Sequence, residues 1–133
     1  VFKQVLIDTE AATQLADALK QSGLPLVVLA FVLSATVRVV QGSATVAMIT
    51  SASLLAPIIA ETGHMPGEID KALWTLSIAA GSMIFSHVND SGFWLVSRFF
   101  GLTEKETFQS WTVMTTIVSV TGFAGVLLLS LLL

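Results

Sequence analysis

Between Lys20 and Glu61 the chain carries a single charged side chain, Arg38, and beyond Glu106 it carries none. Long stretches almost free of charge, separated by short charged clusters, are the pattern of bilayer segments joined by loops. The clusters are Lys3 to Lys20, Glu61 to Lys71 and Arg98 to Glu106. With 11% charged and 54% apolar residues and a mean hydropathy of +0.86, the chain departs far from the roughly 25% charged content of soluble domains. It has too little polar surface to cover a water-soluble core, which points to an all-α integral membrane protein. A net charge of −3 argues against a nucleic-acid partner, and the lack of cysteine excludes disulfides and thiol chemistry.

The lengths of the apolar stretches carry more information than their composition. Residues 24–60 would make about 55 Å of straight helix, against a hydrocarbon core of about 30 Å. Two full crossings would leave almost nothing for a turn. A re-entrant helical hairpin fits, with its tip in the polar run Arg38 to Thr45 and its bend at Gly42. Irregular backbone is forbidden against lipid, so such a tip must be covered by protein or line a watery cavity. Residues 72–101 are also longer than one crossing needs, and the polar run Ser86 to Gly92 interrupts them. This predicts a discontinuous transmembrane helix, with Trp74 near its start and Phe99 and Phe100 near its end set for the headgroup boundaries.

Residues 108–133 are uncharged and predict a terminal transmembrane helix, with Trp111 near its start and Gly122 and Gly125 offering a smooth contact patch. Residues 61–71 and 102–107 read as loops, and Thr103 and Glu106 have the spacing of a capping box that opens the last helix. Residues 1–23 show the i, i+3, i+4 spacing of an amphipathic helix, an interfacial arm or the tail of a helix that starts earlier, stopped by Gly23 and Pro25. The chain begins with Val1, shows no signal peptide, and has room for one structural repeat. It therefore reads as a C-terminal fragment of a secondary transporter. Positive charges are almost evenly divided between the loops, so they do not decide orientation.

Polar groups inside apolar segments are costly and are functional candidates by default. At the tip, Gln41, Ser43 and Thr45, with the free backbone around Gly42, suit hydroxyls or a carboxylate. The start of the following helix favours an anion there. The alternative is that Ser43 and Thr45 only bond back to their own helix. In the break, Ser86 and Asn89 supply neutral donors and acceptors, and His87 and Asp90 are candidates for carrying a coupled proton. Against this, Asp90 would be a mere interfacial residue if the helix ended at Val88. Arg38 has three readings: a seat for a substrate carboxylate, a side chain snorkelling to an interface, or a counter-charge for Asp90. His64 reads as a solvated loop residue. His87 and Asp90 lie three apart and would share a helical face, but no third metal ligand is visible. No enzyme motif and no cofactor signature is present.

Two strings, Arg38-Val-Val-Gln-Gly-Ser-Ala-Thr-Val-Ala47 and Ser86-His-Val-Asn-Asp-Ser-Gly-Phe-Trp94, together resemble the C-terminal portion of the gluconate/proton symporter family. The similarity extends to Val5-Leu-Ile-Asp-Thr9 and Leu15-Ala-Asp-Ala-Leu19, with Glu10 departing where relatives tend to carry glycine. The resemblance implies multi-pass placement in the bacterial inner membrane and proton-driven uptake of a small anionic substrate, gluconate or another sugar acid. Other small hydroxy acids or D-serine are further substrates it allows. It also implies kinship with a broader ion transporter superfamily, with this chain as the second half of an inverted-repeat fold, an N-terminal repeat completing the site, and homodimerisation. Arg38, Gln41, Gly42, Ser43, Thr45, Ser86 and Asn89 would then bind substrate, with His87 and Asp90 coupling the proton. A non-transporting scaffold subunit and a channel are the competing readings. Polar residues gathered at two interruptions favour an occluded site over a continuous pore.

Overall fold

The computed structural model describes residues 25–61 and 66–133, and every regular element among them is helical. The amphipathic stretch 1–23, including its family-like strings, and His64 lie outside the described residues. Five helices follow in order: α1 (Leu26–Gln41), α2 (Ala44–Glu61), α3 (Glu68–Ser82), α4 (Ser91–Phe100) and α5 (Glu104–Leu132).

α1 begins after Pro25, whose ring presets the backbone for the first turn. It ends where Gly42 enters the left-handed region at φ 79° and its N–H caps the Arg38 carbonyl at 2.8 Å. An L side chain rarely adopts that conformation, so glycine here turns the chain within two residues and sends α2 back along α1. α3 starts at Glu68, earlier than the 61–71 loop implied. Asp70 accepts the Gly67 N–H at 2.9 Å, and Lys71 pairs with Glu68 at 2.7 Å, so the charged residues belong to the first turn. α5 opens on the Thr103/Glu106 capping box, with Thr103 N–H on Glu106 Oε2 at 2.8 Å. It therefore starts ahead of residue 108, and its second turn, Phe108–Thr112, is a π-helical widening.

The helices meet in a core formed by Val27, Leu29 and Ala30 of α1, Leu55 and Ile58 of α2, Leu73, Trp74 and Ile78 of α3, and Val126 of α5. Trp74 is thus part of the core and not a boundary anchor. α1 and α3 approach closely at Gly81, where a Cβ would lie 2.5 Å from the Phe31 carbonyl oxygen. Ser34 Oγ donates across the same contact to the Ile78 carbonyl at 2.7 Å, and Ser119 Oγ of α5 donates to the Ala80 carbonyl at 2.7 Å. Gly122 faces Ala80, whereas Gly125 meets nothing within 4 Å.

α5 is the one described helix long and apolar enough to cross a bilayer. Within this chain only 17% of its apolar stretch is buried. Ile117, Val120, Leu128 and Leu131 stand out on its uncovered surface. α1 and α2, with 16 and 18 residues, are apolar but shorter, about 24 and 27 Å against a core of about 30 Å.

Candidate functional site

α3 stops at Ser82, and helical hydrogen bonding does not resume until Ser91. The interruption begins earlier than residue 86, because the apolar Met83, Ile84 and Phe85 belong to it, with Phe85 at φ 47°. It ends where Asp90 becomes the N-cap of α4, its Oδ1 accepting the Gly92 N–H at 3.0 Å. Freed backbone groups need other partners. Those of Ser86 come from α5: Thr112 Oγ1 donates to the Ser86 carbonyl at 2.5 Å, and the Ser86 N–H lies 3.4 Å from Thr115 Oγ1. Trp111 Nε1 also donates to Ser86 Oγ at 2.8 Å. The π turn lies where these contacts are made; such widenings recur at functional sites.

Arg38, on the last turn of α1, is 3% exposed. Its Nη1 donates to the Gly42 carbonyl, and its Nη2 meets Asp90 Oδ2 at 2.5 Å. The same Oδ2 accepts the hydroxyl of Ser86. A continuous chain of polar contacts therefore runs from Trp111 through Ser86, Asp90 and Arg38 to the Gly42 carbonyl. It joins α5, the break and the hairpin tip. A buried guanidinium is tolerable only with a counter-charge, and Asp90 provides it. Arg38 Nε is buried and has no partner. Tip and break also touch through their backbones, since a Cβ on Gly42 would lie 2.3 Å from the Asn89 carbonyl oxygen.

Of the residues singled out in the sequence, Arg38, Gly42, Ser86 and Asp90 share this cluster, and Asn89 joins it through its backbone. Gln41, Thr45 and the Asn89 side chain are exposed beside it, and Ser43 is half-buried with its Oγ 3.4 Å from the Val46 N–H. His87 touches Asp90 through its own carbonyl, which accepts the Asp90 N–H at 2.7 Å, while its Nδ1 lies 3.0 Å from the Phe85 carbonyl. The idea of a shared helical face for His87 and Asp90 fails because residues 83–90 are not helical. Among the described residues no group of three His, Asp or Glu side chains is placed to hold a metal. Thr112 and Thr115 are not among the sequence candidates, and Trp111 stands there only as a residue near the start of the last helix. The signal available was a set of hydroxyls, Thr112, Thr115 and Ser119, spaced along one side of an otherwise apolar helix.

A long, largely uncovered apolar helix, two shorter apolar helices and a buried polar cluster at two helix interruptions mark a membrane protein. The chain belongs to the GntP family of permeases, whose family profile matches residues 1–132. It is 46% identical over 122 residues to the low-affinity gluconate transporter of Escherichia coli K12, which is 92% of this chain and 27% of that protein. It is 45% identical over 130 residues to the gluconate permease of Bacillus subtilis, 98% of this chain and 28% of the relative. With the Gnt-II system L-idonate transporter of Escherichia coli K12 it shares 43% identity over 126 residues, 95% of this chain and 28% of that protein. The chain thus spans little more than a quarter of the length of these curated relatives. No solved structure matches it.

Proposed function

We propose that this chain is the C-terminal part of a proton-coupled secondary transporter that takes up gluconate or a closely related sugar acid across the bacterial inner membrane. The observation that carries this reading is the buried Arg38–Asp90 pair, which joins a helical hairpin tip to a helix break in a chain related to gluconate and L-idonate transporters. The buried Arg38 guanidinium is then the seat for the substrate's negative charge. In this reading α1 and α2 form a re-entrant hairpin, supported by their short lengths and by the polar tip. α3 and α4 form the two halves of a discontinuous transmembrane helix, and α5 is the terminal span. Arg38, Gln41, Gly42, Ser43, Thr45, Ser86 and Asn89 bind the substrate's carboxylate and hydroxyls, and Asp90 with His87 carries the proton. An N-terminal repeat supplies the rest of the site, lipid surrounds the spans, and two such carriers form a homodimer.

The test is uptake of labelled gluconate by the complete protein in vesicles, with L-idonate and D-serine as competitors. Gluconate accumulates when the outside is made acidic, a protonophore abolishes the accumulation, and L-idonate competes better than D-serine. Absence of gluconate uptake, or accumulation that ignores the pH gradient, contradicts the proposal.

A further inference from the structure

We propose that Arg38 and Asp90 form an exchange site, in which a proton taken up by Asp90 releases the Arg38 guanidinium to the substrate's carboxylate, so that proton and anion load together. This rests on the reading of the chain as a proton-coupled sugar-acid carrier and specifies how that coupling works.

The geometry points to a seat built for a larger grip than Asp90 gives it. Nε and Nη2 form the side-on fork of a guanidinium, which matches the two oxygens of a carboxylate. Here Nη2 holds Asp90 Oδ2, while Nε is buried and unpartnered. Asp90 does not fill both positions, because its Oδ1 caps α4 through the Gly92 N–H and its Oδ2 also receives the Ser86 hydroxyl. A substrate carboxylate has no such commitments and takes both donors. Nη1 remains anchored on the Gly42 carbonyl, so the seat keeps its orientation while its occupant changes.

Charge makes the exchange obligatory. The Arg38–Asp90 pair is neutral, and it stays neutral when Asp90 gains a proton and a monoanion takes its place on Arg38. Either ligand alone leaves an uncompensated charge in a buried site, which is strongly disfavoured. In the exchange an O–H bond forms on Asp90, the Nη2 contact to Asp90 breaks, and Nη2 and Nε donate to the substrate. The protonated carboxyl already has a partner, since Ser86 Oγ, held by Trp111 Nε1, accepts its proton when the direction of that hydrogen bond reverses. Among the described residues few other ionisable groups are near. His87 meets Asp90 through its backbone, and α5 presents only Trp111, Thr112 and Thr115. Residues 44–60 carry no charge, Lys71 lies at the far end of α3 beside Glu68, and Arg98 is in the last turn of α4.

The experiment measures the apparent affinity for gluconate in exchange across a range of pH, using the complete transporter in proteoliposomes. Linkage of one proton to one anion makes wild-type affinity fall about tenfold per pH unit on the alkaline side. Asp90→Asn exchanges gluconate with an affinity independent of pH and no longer accumulates it against a gradient. Should Asp90→Asn fail to insert, the doubly neutral Arg38→Gln/Asp90→Asn carrier replaces it. It inserts, since no charge is left unpaired, and its gluconate affinity is more than tenfold weaker at every pH, the carboxylate having lost its guanidinium. Wild-type pH dependence in Asp90→Asn, or wild-type affinity in the double variant, overturns the exchange even if gluconate uptake itself stands. A carrier that ignores gluconate but shows the same Asp90-dependent pH slope for another carboxylate overturns the proposed substrate and supports the exchange.

Discussion

The two interruptions that meet at Arg38 and Asp90 are held in opposite ways. In the break, Ser86 is fully buried, and its N–H, carbonyl and hydroxyl all have partners on α5. At the tip, Gln41 and Thr45 are exposed and Ser43 has one long contact, so the tip bears on the break mainly through Gly42 and the Arg38 side chain. One side is a fixed wall and the other a finger resting on it. The proposed carrier uses both: polar groups already locked in orientation, and polar groups with hydrogen-bonding capacity still unspent.

The contact between wall and finger fails most severely when it loses one charge. Arg38→Ala or Asp90→Ala leaves the other charge buried and unpaired, which typically costs about 3 to 5 kcal/mol. Thermal unfolding in detergent should show this loss, with Arg38→Gln/Asp90→Asn recovering most of it. Equal instability of the double and single variants would mean that the pair does not hold tip to break. Gly42→Ala comes next. Its Cβ would fall 2.3 Å from the Asn89 carbonyl oxygen, at a backbone φ of 79°, so the tip must shift. Strain of this kind costs on the order of 1 to 3 kcal/mol, and gluconate uptake should be lost with it. Wild-type uptake in Gly42→Ala would show that tip and break need not touch.

The wall is sharpened by removing single hydrogen bonds. Trp111→Phe and Thr112→Val each remove one hydrogen bond from buried Ser86, at about 1 to 3 kcal/mol. Both should lower stability and weaken gluconate binding although neither residue belongs to the tip. Unaltered stability and binding in both would mean that α5 does not set the break. The finger gives the smallest stability effects. Gln41→Ala, Ser43→Ala and Thr45→Ala should leave stability within about 0.5 kcal/mol while raising the apparent KM for gluconate. Unchanged transport in all three would remove the tip side chains from the site.

The two regions also differed in how legible they were. Gly42 announced itself, since a glycine inside a polar run in an over-long apolar stretch has one obvious use. Arg38 was visible as a charge requiring compensation, but compensation by Asp90 was one reading among three, because 52 positions separate the pair and pairing is a tertiary fact. The start of the break was hidden, for Met83, Ile84 and Phe85 are as apolar as the helix they terminate. The role of α5 was hidden too. Trp111 suits a headgroup boundary as well as a hydrogen bond to Ser86, and nothing in local sequence distinguishes a π turn from an ordinary one. Trp74 misled in the same way: its amphipathic ring suggested an interface, yet it packs among Leu73, Ile78 and Val27.

Whether proton and sugar acid meet where Arg38 contacts Asp90 is read from the internal pH of proteoliposomes containing the complete protein. Adding external gluconate to the wild type should acidify the lumen as the anion enters with its proton. Adding it to Asp90→Asn vesicles preloaded with gluconate should exchange label without any acidification. Lumenal acidification by Asp90→Asn equal to that of the wild type would place the coupling away from this pair.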